Sequence, residues 1–422
     1  MNDSPSRPYV LISTDAHAGA DLLGYKPYLP RTFHDEFDAW AAHFHDPWAD
    51  LDRETHYEDA DVLMGRASFV SRYSWESDTR AEHMHREGIA AEVVFPNTVP
   101  PFYPSGIITA LAPRNEEEYR YRWEGIKAHN RWLVDFCAQL PGRRAGLAQV
   151  FLDDLDDAIA EMRWARDAGL SGVLIPGDVG ALYDPRYDRL WATSCDLGLP
   201  VHRHSIIVTE QTTGFATAAA AVGAHEIMFW VGRAVSHLVL GGVFQRFPDL
   251  RFVITETGCA WVLPELQKLD FEIRFGKSPG QGQVVFGEAV EGLDRSATEY
   301  FRRNCWIGMS TVRPDELALR HEIGVDRLMW GADYPHTEGS FPNTRLALRL
   351  LFSDVPEDEV RVMTSTSAAD VYGLDLDFLQ TIADEIGPTV EEVATPVSPE
   401  ELPRESMSAT FMPALAAARG GG

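Results

Sequence analysis

The sequence predicts an α/β protein whose core is a closed (β/α)8 barrel of the TIM type, with an open doubly wound sheet as the alternative. From residue 90 onward, short apolar runs alternate with helical patterns, and together with a first run at Val10 to His17 they number eight. Strands separated by helices pair in parallel through right-handed crossovers, and eight of them suggest closure of the sheet. Metal-binding residue types stand at the ends of several runs, as expected where barrel strands converge on one rim.

The first strand is the apolar, β-branched run Val10 to His17, and Gly19 lets the backbone turn away after it. The other seven strands are expected at residues 90–96, 145–151, 172–176, 199–204, 250–256, 304–308 and 327–333. Helical patterns fill the connections, and Gly169 and Gly198 end two of them. Two further helices between Thr344 and Tyr372 complete the last unit. This regular alternation predicts one barrel domain over residues 1–386.

Two segments fall outside the alternation. The connection at about residues 20–86 contains prolines at 27, 30 and 47 and has no clear period except near its end, from Ser77 to Glu87. Insertions of this length inside a domain are often lids or binding loops. Beyond Gly387 the composition shifts to Pro, Glu, Ser and Ala, which predicts a flexible tail over 387–422 that extends as an arm or straps onto a partner subunit.

Composition narrows the class of protein. The chain has 422 residues, 45% of them apolar and 24% charged, which is typical of a globular protein with a large core. Its net charge of -27 argues against nucleic-acid binding, which needs a clustered basic surface. The four cysteines are far apart, and we find neither an apolar leader nor a stretch long enough to span a membrane. We therefore expect a cytoplasmic protein that binds neither membranes nor nucleic acids.

The ends of four predicted strands carry imidazoles and carboxylates. Side chains two residues apart on a strand point the same way, so Asp15 and His17 should project together from the first strand. The fifth strand ends in His202 and His204, the sixth in Glu256 and the eighth in Asp333; all are at the rim where barrel enzymes place catalytic groups. Mixed imidazole and carboxylate ligands suit zinc, manganese or iron, and such a metal polarises a carbonyl and activates water.

Four motifs carry a resemblance to a known family. They are Ser-Thr-Asp-Ala-His from Ser13, Leu-Pro-Val-His-Arg-His-Ser from Leu199, Gly-Gly-Val-Phe-Gln-Arg-Phe-Pro-Asp-Leu from Gly241 and Trp-Gly-Ala-Asp-Tyr-Pro-His from Trp330. From Tyr9 to Tyr372 the chain resembles the metal-dependent amidohydrolase superfamily, in the family 2 branch that includes the aminocarboxymuconate-semialdehyde decarboxylase-like proteins. The resemblance implies a barrel, a homodimer and one divalent metal, zinc before manganese or iron, with the ligands Asp15, His17, His204 and Asp333.

Two departures from the family pattern bear on the chemistry. Relatives often carry His-x-His or Glu-x-His on the first strand, and the Asp15 found here could favour a harder ion than zinc. Many relatives have a histidine after the sixth strand, where this chain has Glu256 in Ile-Thr-Glu-Thr-Gly. Glu256 is expected first as a base or water-positioning group, and otherwise as a ligand or as support for a ligand histidine.

Two further histidines have competing interpretations. His202 shares a face with His204 and could bind substrate. It fits at least as well as a core histidine that is hydrogen-bonded to a neighbouring strand. His336 follows Asp333 by three residues on the rim loop, where it either binds substrate or is only a turn residue after Pro335. We predict substrate contacts from both histidines.

The leading functional hypothesis is metal-assisted hydrolysis of an amide, cyclic amide or peptide-like C–N bond. Glu256 and Asp333 would move the proton, and His204 would assist as a ligand of the activating metal. The alternative is non-oxidative decarboxylation of an aromatic or dienoic acid, for which Arg233 or Arg31 could bind the carboxylate. A third reading is a barrel without metal that binds a ligand. Carbon dioxide release, water incorporation and metal content distinguish the three.

Overall fold

Eight parallel strands form the barrel in the order of the chain. We describe a computed structural model over residues 6–44, 72–104, 113–177, 180–205 and 216–420. Each strand pairs in parallel with the next, β1 to β8. The strands are β1 Leu11–Ala18, β2 Ile89–Pro96, β3 Arg144–Gln149, β4 Gly172–Leu174, β5 Val201–His204, β6 Phe252–Thr255, β7 Cys305–Met309 and β8 Leu328–Trp330. The predicted barrel is confirmed.

The barrel closes where β8 meets β1. Thr14 Oγ1 donates to the carbonyl of Trp330 at 3.0 Å, and the backbone N–H of Asp333 donates to the carbonyl of Asp15 at 2.8 Å. One residue pair further, the N–H of His17 donates to the carbonyl of Tyr334 at 2.6 Å. These bonds hold the rim segment after β8 beside the end of β1.

Helices cover the outside of the barrel and continue into the C-terminal segment. The α-helices of the described residues are His34–Ala41, Ser77–Glu87, Glu116–Ala138, Leu155–Asp167, Asp188–Leu197, Ala216–His225, Ile227–Leu240, Val243–Arg246, Val262–Lys277, Gln281–Glu291, Ala297–Asn304, Arg320–Ile323, Thr344–Phe352, Glu357–Arg361, Ser367–Tyr372, Leu376–Ile386, Val390–Val393 and Met412–Gly420. Within the described ranges, no helix has both the length and the apolar character needed to cross a bilayer.

The interior of the barrel is packed with small and branched side chains, so it is a core and not a channel. Alternate residues of the strands meet there; they include Ile12, Val93, Leu147, Val253 and Met329. Tyr372 and Ala368, from the helix Ser367–Tyr372, belong to the same cluster. With the interior filled, the open space for chemistry lies at the rim.

The two segments outside the alternation both lie against the barrel where the structure describes them. Residues 45–71 of the predicted insertion are outside the described residues, and the lid role stays a prediction. Tyr25, from the described part, is buried, and its hydroxyl lies 2.6 Å from Thr98 Oγ1 beyond β2. The tail was predicted as a flexible arm or a strap onto a partner subunit, and this stays a prediction. In the structure Arg349 pairs with Glu401 at 2.6 Å, and Thr410 Oγ1 donates to the carbonyl of Val312 at 2.9 Å. These contacts hold it on its own barrel.

Candidate metal centre

The carboxylate and imidazoles of β1 and β5 meet at the rim. His17 Nε2 lies 3.1 Å from Asp15 Oδ1, and His204 Nε2 lies 3.3 Å from the same oxygen. Asp15 and His17 are buried, and the His204 side chain is 15% exposed, so the group is reached from the rim side. His17 Nδ1 contacts the carbonyl of Pro96 at 3.2 Å, which directs Nε2 towards the carboxylates.

Asp333 completes this set from the segment after β8. Its Oδ1 lies 3.3 Å from His17 Nε2 and 2.9 Å from His336 Nδ1. The rings of His17 and His336 stack with their centroids 4.0 Å apart. The structure therefore brings together Asp15, His17, His204 and Asp333, the four residues proposed from sequence as metal ligands, and adds His336 beside them.

Glu256 stands on the other side of His204. Its Oε2 lies 3.2 Å from His204 Nδ1, and one ligand atom each of Asp15, His17, His204 and Glu256 fall within 4.8 Å of one another. A second group with the same spacing consists of Glu256, Asp333, His336 and Glu338. Glu338 was not foreseen, although it lies only two residues after His336 in the same rim loop.

The backbone is left-handed at two of these carboxylates. Glu256 has a φ of 62° and Asp333 a φ of 54°, and the only other non-glycine residue with positive φ in the described ranges is Phe102. Such conformations cost of order 1–3 kcal/mol and occur at functional sites. Both residues lie just beyond the paired strands, because β6 ends at Thr255 and β8 at Trp330. The strands were predicted to run through them; instead the chain turns there.

Several neighbouring groups hold Asp15 in place. Ser310 Oγ, just after β7, donates a hydrogen bond to Asp15 Oδ2, which leaves Oδ1 facing the two histidines. A Cβ on Gly331 would lie 2.8 Å from the Cβ of Asp15, so only glycine lets β8 approach this closely. Arg80 is buried and its Nη1 donates to the carbonyl of His17 at 2.6 Å. Sequence reasoning missed Ser310 because a serine after a strand has no distinctive pattern.

The charges of the site act strongly on one another. Burial opposes ionisation of Asp15, but the neighbouring imidazoles of His17 and His204 hold its pKa well below the usual range. Burial also lowers the pKa of His17, but the carboxylates of Asp15 and Asp333 outweigh it and raise that pKa to about 10. Burial raises the pKa of Glu256 well above its usual value, and the charge of Asp333 adds to the rise. The raised pKa of Glu256 and the raised pKa of His17 thus have one shared cause, the nearby carboxylates of Asp15 and Asp333.

The residues present fit a divalent cation. Asp333 is fully buried, and neither of its carboxylate oxygens accepts a hydrogen bond from any described residue. Over the same residues, His17 Nε2 also makes none. Buried polar atoms without partners are costly, and here they converge with mixed nitrogen and oxygen chemistry that suits zinc, manganese or iron. A cation would satisfy these atoms together.

His202 is not brought to this cluster. Although it shares a face of β5 with His204, it lies deeper in the barrel, where Nε2 contacts the Tyr372 hydroxyl at 3.0 Å and Nδ1 the carbonyl of Val173 at 3.3 Å. Gly172 provides room for the ring, since a Cβ there would lie 2.6 Å from it. Burial lowers the pKa of His202 to about 3. The structure thus places His202 in the core below the rim, and a substrate contact from it stays a prediction.

Comparison with known proteins identifies the family of this chain and two of its relatives. Residues 40–374 match the model of a family described as amidohydrolase. The decarboxylase orsB of Emericella nidulans is 28% identical over 295 residues, covering 65% of this chain and 78% of that protein. The gamma-resorcylate decarboxylase of Rhodococcus jostii is 24% identical over 339 residues, covering 76% of this chain and 98% of that protein.

A solved structure shares the fold. It is a 5-carboxyvanillate decarboxylase from Novosphingobium aromaticivorans with bound manganese, which superposes with a TM-score of 0.62 at 18% identity and covers 87% of this chain and 97% of its own. The expectation of a C–N hydrolase is wrong, because the matching relatives with a named reaction are decarboxylases. Metal-binding residue types at the rim suit either reaction, so the sequence by itself did not separate the two.

Proposed function

The chain belongs to the amidohydrolase family, and from that premise we propose that it catalyses the metal-dependent, non-oxidative decarboxylation of an aromatic carboxylic acid. The observation that carries the proposal is the alignment of most of the chain with two decarboxylases, one of which acts on gamma-resorcylate. Gamma-resorcylate and 5-carboxyvanillate both have a phenolic hydroxyl next to the carboxyl group that is lost. We therefore propose an ortho-hydroxybenzoate-type substrate.

The metal would be held by Asp15, His17, His204 and Asp333. A cation bound there supplies positive charge that binds and polarises substrate oxygens. Manganese is our first candidate and zinc the alternative, because carboxylate oxygens suit manganese and a solved neighbour carries that ion. The departure of Asp15 from the usual first-strand residues also favours a harder ion.

The proton would come from Glu256. In the reaction the bond between the ring carbon and the carboxyl carbon breaks, carbon dioxide leaves, and the ring carbon keeps the electron pair and takes up a proton. Burial and the charge of Asp333 raise the pKa of Glu256, which favours the protonated form that a general acid needs, and general acids contribute about 10²–10⁴-fold. Glu256 is 14% exposed and lies beside His204, so it can face substrate at the rim.

A product analysis tests the proposal. The manganese-loaded protein would be incubated in deuterium oxide with a panel of hydroxybenzoates that do or do not carry a hydroxyl next to the carboxyl group. We expect carbon dioxide release only from the ortho-hydroxy acids, and one deuterium at the carbon that lost the carboxyl group. Asp333→Asn should abolish turnover by removing a ligand charge. Lack of carbon dioxide release from every acid, together with hydrolysis of amides, would contradict the proposal.

A further inference from the structure

The turn that begins at Glu256 is fixed at its far end by a second carboxylate. Glu316 lies in the 3₁₀ turn Pro314–Leu319 after β7 and is 5% exposed. Its Oε2 accepts hydrogen bonds from the backbone N–H groups of Cys259 and Ala260, both at 2.8 Å. We propose that Glu316 is a positioning residue for the decarboxylation, which holds this turn so that the Glu256 carboxyl group faces the substrate. The inference rests on the proposed function, in which Glu256 is the acid.

The turn needs this support because its backbone adopts an unfavourable conformation. Glu256 has a φ of 62° and Gly258 a φ of 58°, so two left-handed residues are separated by a single residue. A left-handed conformation at a non-glycine residue persists only where the surrounding contacts impose it. Before the turn, the N–H of Glu256 donates to the carbonyl of Gly308 at 2.9 Å, and after it the two bonds to Glu316 follow. Glu256 is therefore held from both sides.

Glu316 is itself oriented for this role. Its other oxygen, Oε1, accepts from the backbone N–H of Arg313 at 3.3 Å and lies 3.4 Å from Arg313 Nη1, which leaves Oε2 to the two amides of the turn. Gly258 permits the close approach, because a Cβ there would lie 2.8 Å from Oε2. A hydrogen bond from a backbone N–H to an ionised carboxylate is roughly twice as strong as a bond between neutral groups. A glutamate is therefore well suited to fix the turn.

The segment after β7 contacts two different parts of the site. Ser310 at its start donates to the Asp15 carboxylate, and Glu316 later in the same segment holds the turn that begins at Glu256. The first bond orients a proposed metal ligand, whereas the other two orient the proposed acid. Because the bonds reach different groups, we expect substitutions of Ser310 to change metal affinity and substitutions of Glu316 to change kcat.

Steady-state kinetics of the manganese-loaded protein test the role of Glu316. Glu316→Ala should lower kcat for carbon dioxide release roughly 10²-fold, the loss expected when an acid is misplaced by about 1 Å, and should leave KM and the Kd for Mn²⁺ near wild type. Glu316→Gln, which keeps an acceptor oxygen for both amides, should recover most of kcat. In a Glu256→Gln background, Glu316→Ala should cause no further loss, because the acid that it positions is already absent. A wild-type kcat in folded Glu316→Ala, an undiminished loss in that background, or weaker Mn²⁺ binding would overturn the proposal.

Amide hydrogen exchange tests the anchoring without substrate. The amides of Cys259 and Ala260 should exchange faster in Glu316→Ala than in wild type, because they lose their acceptor. Exchange at the wild-type rate would refute the anchoring. Absence of carbon dioxide release by the wild-type protein would instead refute the proposed function, so the two failures are distinguishable.

Two further variants complete the experiment. Asp270→Ala is the matched control, because Asp270 Oδ1 also accepts two backbone N–H groups, those of Ala297 at 2.6 Å and Thr298 at 3.3 Å, between two outer helices. It should leave kcat and the exchange of the turn unchanged. Glu316→Asp, which withdraws the carboxylate by one methylene, should change kcat and exchange in the same direction as Glu316→Ala, and it replaces that variant if circular dichroism shows that the alanine protein does not fold.

Discussion

Removing the hydroxyl of Ser310 should weaken the proposed metal site without changing any of its ligands. Ser310 Oγ donates to Asp15 Oδ2, and this bond leaves Oδ1 at 3.1 Å from His17 Nε2 and 3.3 Å from His204 Nε2. In Ser310→Ala, Oδ2 loses this donor in a fully buried position and the carboxylate can rotate away. A hydrogen bond to a charged group contributes about 1.5–3 kcal/mol. Loss of such supporting bonds lowers metal affinity roughly 10–100-fold.

The assay is a calorimetric titration of the metal-free protein with Mn²⁺, which gives the Kd of the site. Ser310→Ala should raise that Kd about 10–100-fold, and Ser310→Thr, which keeps the hydroxyl, should restore most of the affinity. Ser194→Ala is the matched control, because it also removes a buried serine hydroxyl, bonded to the carbonyl of Leu199 far from the rim. An unchanged Kd in Ser310→Ala would refute the reasoning.

Three further predictions follow from the same geometry. Glu256→Gln, which keeps the shape but not the proton, should lower kcat for carbon dioxide release about 10²–10⁴-fold, and an unchanged kcat would exclude it as the acid. Chelation should abolish turnover and lower the melting temperature, and Mn²⁺ should restore both. Glu92→Gln leaves the buried Arg80 and Arg144 without their countercharge and should lower the free energy of unfolding in urea by about 3–5 kcal/mol. The arginines lower the pKa of Glu92 although burial opposes this, so the difference from wild type should be full above pH 4.5 and shrink as pH falls below it.

The eight strands were predictable because a strand buried on both faces leaves a run of apolar, β-branched residues that helices interrupt at regular intervals. The rim ligands were predictable for a related reason. In a closed parallel barrel every strand ends at the same rim, so residues as distant as Asp15 and Asp333 must approach one another. The ends of β6 and β8 were less predictable, since the left-handed turns at Glu256 and Asp333 have no glycine to mark them.

Other features could not be derived from local patterns. His202 and His204 occupy equivalent positions in the alternation, but His202 lies deeper in the barrel, where it contacts Tyr372 from the helix Ser367–Tyr372. The tail has the composition of a flexible arm, but Arg349 and Val312 on the barrel supply partners for it. In each case a contact between residues distant in sequence outweighed the local preference.

The sequence by itself determined the barrel, the rim and the chemical types of the ligands, because hydrophobic periodicity and residue type are local properties of the chain. Only the tertiary structure decided which of these side chains lie together at the rim. Ser310, just after β7, orients Asp15, Asn97 after β2 contacts His336, and Glu338 lies close to Asp333 and His336. Metal affinity depends on distances of a few tenths of an ångström between groups on different strands, and those distances are set by packing across the barrel.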